Sequence, residues 1–254
     1  MKITWFGTAS LAVETAAGRL LADPFFPMKG SPTRVARDAY RGYQSILVTH
    51  GHFDHILSLP AILRESGATV WCTETPYRTL QAMDVPEDNL RLIAPGDAFE
   101  REGMRVTVYR SRHVEYDARL LRRTFLNPRM LRHAGNLPLI ASVFRAMPEN
   151  GETVAYHIEA EGRSLMILGS LNLAEGVDYP AGMDLLALPY QGTSDLLTPG
   201  LHIVERLRPR AVLLDHFDDA FPPISSAVDT SDIQQALSGR LPVYRLEPGG
   251  SLEL

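Results

Sequence analysis

Thr49-His50-Gly51-His52-Phe53-Asp54-His55 places four potential metal ligands within six residues. The apolar run Ser45-Ile46-Leu47-Val48 precedes it and a helical pattern starting near Ile56 follows, so the stretch reads as a strand-to-helix loop. An α/β scaffold usually carries its chemistry on such loops. In extended backbone alternate side chains share a direction, so His50 and His52 can converge on one ion while Gly51 leaves room for the backbone. Asp54 and His55 then face a neighbouring position, and two adjacent sites let metal ions share an activated water. The competing reading is a set of surface histidines at a helix start, with Asp54 as an N-terminal cap. Against it, three of the chain's eight histidines fall in these six residues.

Composition sets the frame around the motif. With 254 residues, 45% hydrophobic and 22% charged, the chain is ordinary for a globular protein and can bury a full core. No Gly/Ser/Pro-rich linker divides it, so one domain over 1–254 is expected. A net charge of −5 disfavours a dedicated nucleic-acid binder. The single cysteine, Cys72, excludes an intrachain disulfide, fits a reducing compartment and sits in a strand-like run where buried packing is its expected role. No charged-then-apolar leader opens the sequence and no apolar run approaches the roughly 18 residues of a membrane span, so a cytoplasmic location is the expectation.

Short strand-like runs at 2–6, 10–15 and 19–22 predict an N-terminal meander. An amphipathic helix is expected from Ile56 to Glu65, ended by Ser66-Gly67, with a strand over 69–72, a short helix over 76–83 and a strand over 90–93. Strands follow at 104–110, 154–159, 164–168, 184–188 and 211–214, helices near 198–207 and 232–237, and a closing strand at 243–246.

His50-x-His52-x-Asp54-His55 resembles the signature of the metallo-β-lactamase-fold hydrolases. The opening Met1-Lys2-Ile3-Thr4-Trp5-Phe6-Gly7-Thr8-Ala9-Ser10 resembles the bacterial branch that includes the ascorbate-6-phosphate lactonases. The resemblance covers nearly the whole chain. It implies an α/β protein built as a four-layer αβ/βα sandwich, with a metal site along one edge; the region at about 115–149 departs from the regular strand alternation and reads as a helical insertion. The resemblance also implies that His113, just past the strand at 104–110, joins His50 and His52, and that His216, after the strand at 211–214, joins Asp54 and His55. An aspartate at the position of Asp23 buttresses the metal loop in that family, whereas an Asp-Pro turn explains the residue equally well. The sequence departs from the family at Ser170, where relatives carry an aspartate that bridges two metals; a neutral hydroxyl is a poor substitute. Asp218 is one candidate to compensate, while Asn172 reads better as a turn residue than as a ligand. Tyr190 and Gln191 lie in the stretch matching the family's substrate-facing loop, with a plain turn as the alternative.

Between Asp117 and Glu149 the chain holds Arg119, Arg122, Arg123, Arg129, Arg132 and Arg145 and no acid. Removing these six positive charges from the net −5 leaves about −11 on the rest. One reading is a lid whose arginines, Arg122 and Arg123 among them, hold an anionic substrate group. Others are an apolar packing face or homo-oligomer contact, or contact with an anionic membrane surface.

Together these features predict a metal-dependent hydrolase acting on a small, anionic ester, lactone or phosphoester. His50, His52 and His113 would hold one metal and Asp54, His55 and His216 another. Asp54 and His113 are the catalytic candidates, with Asp54 steering or accepting a proton from the attacking water. Zinc is the expected metal, as one or two ions, and manganese or iron suits the same donors. Two rivals stand beside it: a catalytically degenerate binding protein marked by Ser170, and a phosphodiesterase or nuclease using the arginine-rich segment.

Overall fold

The computed structural model describes residues 1–254. The chain begins as the expected meander, β1 (Lys2–Gly7), β2 (Ser10–Glu14) and β3 (Arg19–Ala22), and then returns to the same sheet as β4 (Ser45–Leu47). Two helices follow, α1 (Phe53–Ile56) and α2 (Leu59–Ser66), then β5 (Thr69–Cys72), α3 (Glu74–Ala82) and β6 (Leu90–Leu92). The expected helix from Ile56 is thus two helices. The first starts earlier, at Phe53, and the second restarts with Pro60 in its first turn, where proline's missing N–H costs nothing. Gly67 ends it in the left-handed region at φ 63°, as the sequence predicts.

The second half runs β7 (Ala98–Arg101), β8 (Met104–Arg110), α4 (Ala118–Phe125), α5 (Arg129–Arg132), α6 (Leu137–Ala146), β9 (Val154–Ala160) and β10 (Arg163–Leu168). It finishes with β11 (Leu185–Pro189), α7 (Leu197–Leu207), β12 (Val212–Asp215), α8 (Ser231–Leu237), β13 (Val243–Arg245) and β14 (Ser251–Glu253). The closing strand is therefore β14, which pairs antiparallel with β1, and not the run at 243–246.

The strands form two seven-stranded mixed sheets, ordered β14-β1-β2-β3-β4-β5-β6 and β13-β12-β11-β10-β9-β8-β7. Alternation along the first sheet divides its side chains between two cores. Leu11, Val13, Leu20, Ala22 and Leu47 join Val106, Tyr156, Leu165 and Leu186 of the second sheet, and the same core reaches Ile203, Val204 and Leu207 of α7. Ala12, Leu21, Ile46, Val70 and Cys72 instead face Ile62 and Leu63 of α2 and Leu80 of α3. Each fully buried aliphatic side chain contributes on the order of 1.5–3 kcal/mol. The result is the αβ/βα sandwich of the metallo-β-lactamase fold, with helices on both outer faces. Cys72 is buried, as expected of a packing residue.

In the segment 115–149, α6 sets Ile140, Val143 and Met147 into the second core, and Phe144 stacks edge-on against Phe53 of α1 at 5.3 Å. The helices α4 and α5 have no buried residue. No helix is long and apolar enough to cross a membrane.

Candidate metal centre

The candidate ligands sit at the C-terminal ends of strands from both sheets. His50 and His52 follow β4, with His52 in the N-cap position of α1, which carries Asp54 and His55. His113 lies three residues beyond β8 and His216 directly follows β12. The fold brings all six together as two groups, His50 with His52 and His113, and Asp54 with His55 and His216. Within each group one potential ligand atom per residue lies within 4.8 Å of the others. The His50 and His55 rings, 3.9 Å apart between centroids, join the groups.

Hydrogen bonds at the back of the rings assign their tautomers. Asp23 is fully buried; its Oδ1 accepts from the Thr49 N–H at 2.9 Å and its Oδ2 from the Thr49 hydroxyl at 2.7 Å. His55 Nδ1, 3.1 Å from the same Oδ2, donates to it, leaving Nε2 to face Asp54. The Thr49 oxygen, its own proton committed to Asp23, accepts from His50 Nδ1 at 3.1 Å. His113 Nδ1 donates to the Val114 carbonyl at 2.7 Å. The free lone pairs of His50, His55 and His113 therefore all belong to Nε2. His50 Nε2 and His52 Nδ1 lie 3.1 Å apart, two nitrogens converging on one spot. Three neutral imidazoles and a mixed His/Asp trio are donor chemistry that suits a transition-metal ion, so these residues fit the group that the resemblance implies.

Electrostatics supports the same division in the metal-free chain. Burial pushes His50 well below the ordinary histidine range, with His55 and His52 adding to the shift, and takes His52 down to about 4 against the pull of Asp54. His113 is lowered by burial as well. The second group behaves oppositely. Burial disfavours an ionised Asp54, but the charge of His55 and the His216 bond outweigh it and hold the carboxyl below its usual range. For His216 burial is outweighed by the bond and charge of Asp54, which lift it to about 9. Asp54 Oδ2 and His216 Nε2 stand 3.0 Å apart.

Strain gathers beside the second group. His216 has φ 57° and Thr8 has φ 52°, both in the left-handed region that non-glycine residues avoid at a cost of about 1–3 kcal/mol each. The two are tied together: the His216 N–H donates to the Thr8 carbonyl at 2.8 Å, and Trp5 Nε1 donates to the same oxygen. Asp218 completes the support by accepting from the Thr8 N–H at 2.9 Å and the Thr33 hydroxyl at 2.8 Å. Both its oxygens are engaged away from the donor groups, so its expectation as a replacement ligand is corrected to a buttress of the β1–β2 turn.

Ser170, two residues past β10 and buried, accepts through Oγ from the Val114 N–H at 3.0 Å. It thus steadies Val114, the residue whose carbonyl orients His113. Asn172 is a turn residue, with Oδ1 accepting from Leu173 N–H at 2.9 Å. Tyr190 is fully buried, with its ring against Gly200 and its hydroxyl donating to Asp232, so the expectation that it lines a substrate pocket is corrected to core packing. Gln191 donates to the Ser226 carbonyl at 3.0 Å, a loop-to-loop tie. Arg122 and Arg123 lie exposed on α4.

One neighbour of the site had no signal in the sequence. Burial would raise the Glu149 carboxyl, but bonds from the Thr153 hydroxyl and from the N–H groups of Gly151 and Thr153 hold it below the usual range, and its charge acts on His52 and His113. Gly51 lies so close to the segment that a Cβ there would stand 2.4 Å from the Pro148 carbonyl oxygen.

Comparison with known proteins agrees with this architecture. A UPF0173 metal-dependent hydrolase of Brucella ovis is 48% identical over 73 residues, which is 28% of this chain and 30% of that protein. The match thus spans under a third of the curated relatives. Among solved structures, the metallo hydrolase Igni18 of Ignicoccus hospitalis is 18% identical, covering 100% of this chain and 98% of its own, with a TM-score of 0.67. Zn2+-bound PqqB from Methylobacterium extorquens is 17% identical over 100% of both chains, with a TM-score of 0.64. At such identities the structures speak to the fold. The family model of the Beta-lactamase superfamily domain matches residues 17–217, most of the chain, and the protein therefore belongs to that superfamily.

Proposed function

We propose that the chain is a metal-dependent hydrolase of small ester, lactone or phosphoester substrates. The observation that carries the reading is the pair of adjoining three-residue groups, His50/His52/His113 and Asp54/His55/His216, each with ligand atoms converging within 4.8 Å. Zinc is the preferred ion, since it suits a set of imidazoles with one carboxylate; the zinc-bound PqqB neighbour supports that choice. A metal ion held there would lower the pKa of water and offset negative charge developing on the attacked oxygen. The chain's own residues do the rest. Asp23, Thr49 and Val114 fix the tautomers so that Nε2 of His55, His50 and His113 faces inward. Asp54, kept ionised by its histidine neighbours, orients the attacking water and accepts its proton through the carboxylate. The 115–149 segment, packed beside Gly51 and Phe53, bounds the site on one side and in this reading selects the substrate.

The test is metal content per chain by elemental analysis after loading with zinc or manganese, on the parent and on His52→Ala. About two ions in the parent, a loss of metal in the variant and a parallel loss of esterase or phosphoesterase activity are expected. Unchanged metal and unchanged hydrolysis in His52→Ala would sink the assignment.

Ser170 favours a second reading, a metal-binding protein without catalysis, because the sequence lacks the bridging carboxylate there. The variant Ser170→Asp separates the two. A carboxylate can still accept from Val114 N–H and adds an anionic donor at the position where the resembling family carries its bridging aspartate, so the hydrolase reading expects activity in the parent and tighter metal in the variant. Activity present only in Ser170→Asp would favour the second reading.

A further inference from the structure

Seven of the nine large apolar side chains that the fold leaves exposed lie between 116 and 144. Within that stretch α4 separates its residues cleanly. Leu121 and Phe125 share a face at i, i+4 spacing, while Arg119, Arg122 and Arg123 take the other side. Past the helix end two more apolar side chains stand in the open, Leu126 at 71% exposure and Leu131 at 84%, the latter beside the exposed Arg132. Burial against the body is done elsewhere, by Ile140, Val143 and Met147 of α6, and Arg129 is fastened to Asp219. The α4–α5 surface is thus apolar, unpartnered within the chain and ringed by arginines that no acid between 118 and 148 offsets.

We propose that this surface docks on an anionic lipid bilayer. A basic, strongly amphipathic helix with Leu and Phe on its apolar side is the form that lies in a membrane interface, with arginines meeting lipid phosphates and apolar side chains entering the acyl boundary. Charge decides against a second copy of the chain. A symmetric dimer through this patch would bring Arg122, which borders Phe125 on the helix, and Arg132, which follows Leu131, up against their own copies, which costs energy where an anionic surface gains it. Tyr116, at the start of the patch, has its ring 5.5 Å from that of His113, so the patch begins beside the His50/His52/His113 group. The proposal concerns binding and does not depend on the hydrolase reading.

The experiment is co-sedimentation of the full chain with vesicles of phosphatidylcholine alone and of phosphatidylcholine with about one third phosphatidylserine. The parent is expected to bind the phosphatidylserine vesicles, to release them as salt is raised, and to ignore phosphatidylcholine. Arg119→Gln, Arg122→Gln and Arg123→Gln should each weaken binding by about fivefold, and Leu126→Ser with Leu131→Ser by about tenfold, with melting temperature unchanged in every variant. Absence of binding to either vesicle, equal binding to both, or variants that bind like the parent would overturn the proposal. So would a concentration-dependent dimer in sedimentation velocity that Leu126→Ser with Leu131→Ser disperses, since the occupant would then be a second copy.

Discussion

Replacing Asp23 by asparagine removes one negative charge and one acceptor from the most enclosed part of the site while leaving the side-chain shape intact. Asp23 serves three donors with two oxygens: the Thr49 N–H at 2.9 Å, the Thr49 hydroxyl at 2.7 Å and His55 Nδ1–H at 3.1 Å. Asparagine keeps one of these oxygens. Its amide N–H would face the Thr49 hydroxyl and the His55 N–H, donor against donor. His55 escapes by moving its proton to Nε2, the atom that faces Asp54 and the second donor group. The backbone is not a confounding factor, since Asp23 sits at φ 43° and asparagine tolerates the left-handed region as well as aspartate does. Two charge-assisted bonds lost from a fully buried position cost about 2–4 kcal/mol of stability, or a melting temperature lower by roughly 5–10 °C. Loss of the orienting carboxylate should weaken zinc in the Asp54/His55/His216 group by about 10–100-fold. Chelator-competition titration of the second zinc ion reads the affinity, urea unfolding reads the stability, and long-range 1H–15N spectra read the His55 tautomer. Second-ion affinity within about twofold of the parent, alongside a clear loss of stability, would show that Asp23 is a packing element and refute the reasoning.

Gly51→Ala forces its Cβ to within 2.4 Å of the Pro148 carbonyl oxygen, so the His50–His52 loop or the end of the 115–149 segment must shift; stability should fall by about 1–3 kcal/mol in urea unfolding, with weaker zinc binding in the same titration. For pH, the metal-free chain should be most stable near pH 6.5, falling on the acid side and again toward pH 9. His52, folded at about 4 against an ordinary 6.5, resists protons that the unfolded chain takes up, so stability falls as pH drops from 6.5 toward 4, with His50 and His113 acting in the same sense. The His52 contribution is about 2–3 kcal/mol. His216, raised to about 9 by Asp54, contributes stability that is complete below 6.5 and is lost as pH climbs through 9. Unfolding free energies of chelator-treated protein across this range check both limbs, and a flat acid limb would contradict the neutral-imidazole assignment.

Features set by local pattern were legible in the sequence. The strands Thr69–Cys72 and Met104–Arg110 coincide with the expected runs because their apolar alternation is strong and their ends are marked by turn residues. The four-ligand stretch was legible for the same reason, being contained in six residues. Exposed edge strands were not: β7, Ala-Phe-Glu-Arg, has no buried residue, and β14 shows only Ser-Leu-Glu. β7 is defined by its hairpin pairing with β8, and β14 by pairing with β1 at the other end of the chain. The supports of the site were hidden likewise. Ser170 reaches Val114 across 56 residues and Asp54 reaches His216 across 162, distances over which spacing carries no information. Tyr190 misled because a strand-end residue beside a loop can point into the core as readily as into a cleft, and here Gly200 opens the space for its ring.

Neither donor group can be completed from one sheet alone. His50, His52, Asp54 and His55 follow β4 of the first sheet, whereas His113 and His216 follow β8 and β12 of the second. During synthesis the early histidines therefore emerge long before their partners, and His216 is held in place by Thr8, almost the whole chain length away. On the proposed assignment a nascent or truncated chain would have ligands but no assembled cradle, and ion capture would become a certificate of finished folding. The metal content of a preparation would then count the molecules in which both sheets have met.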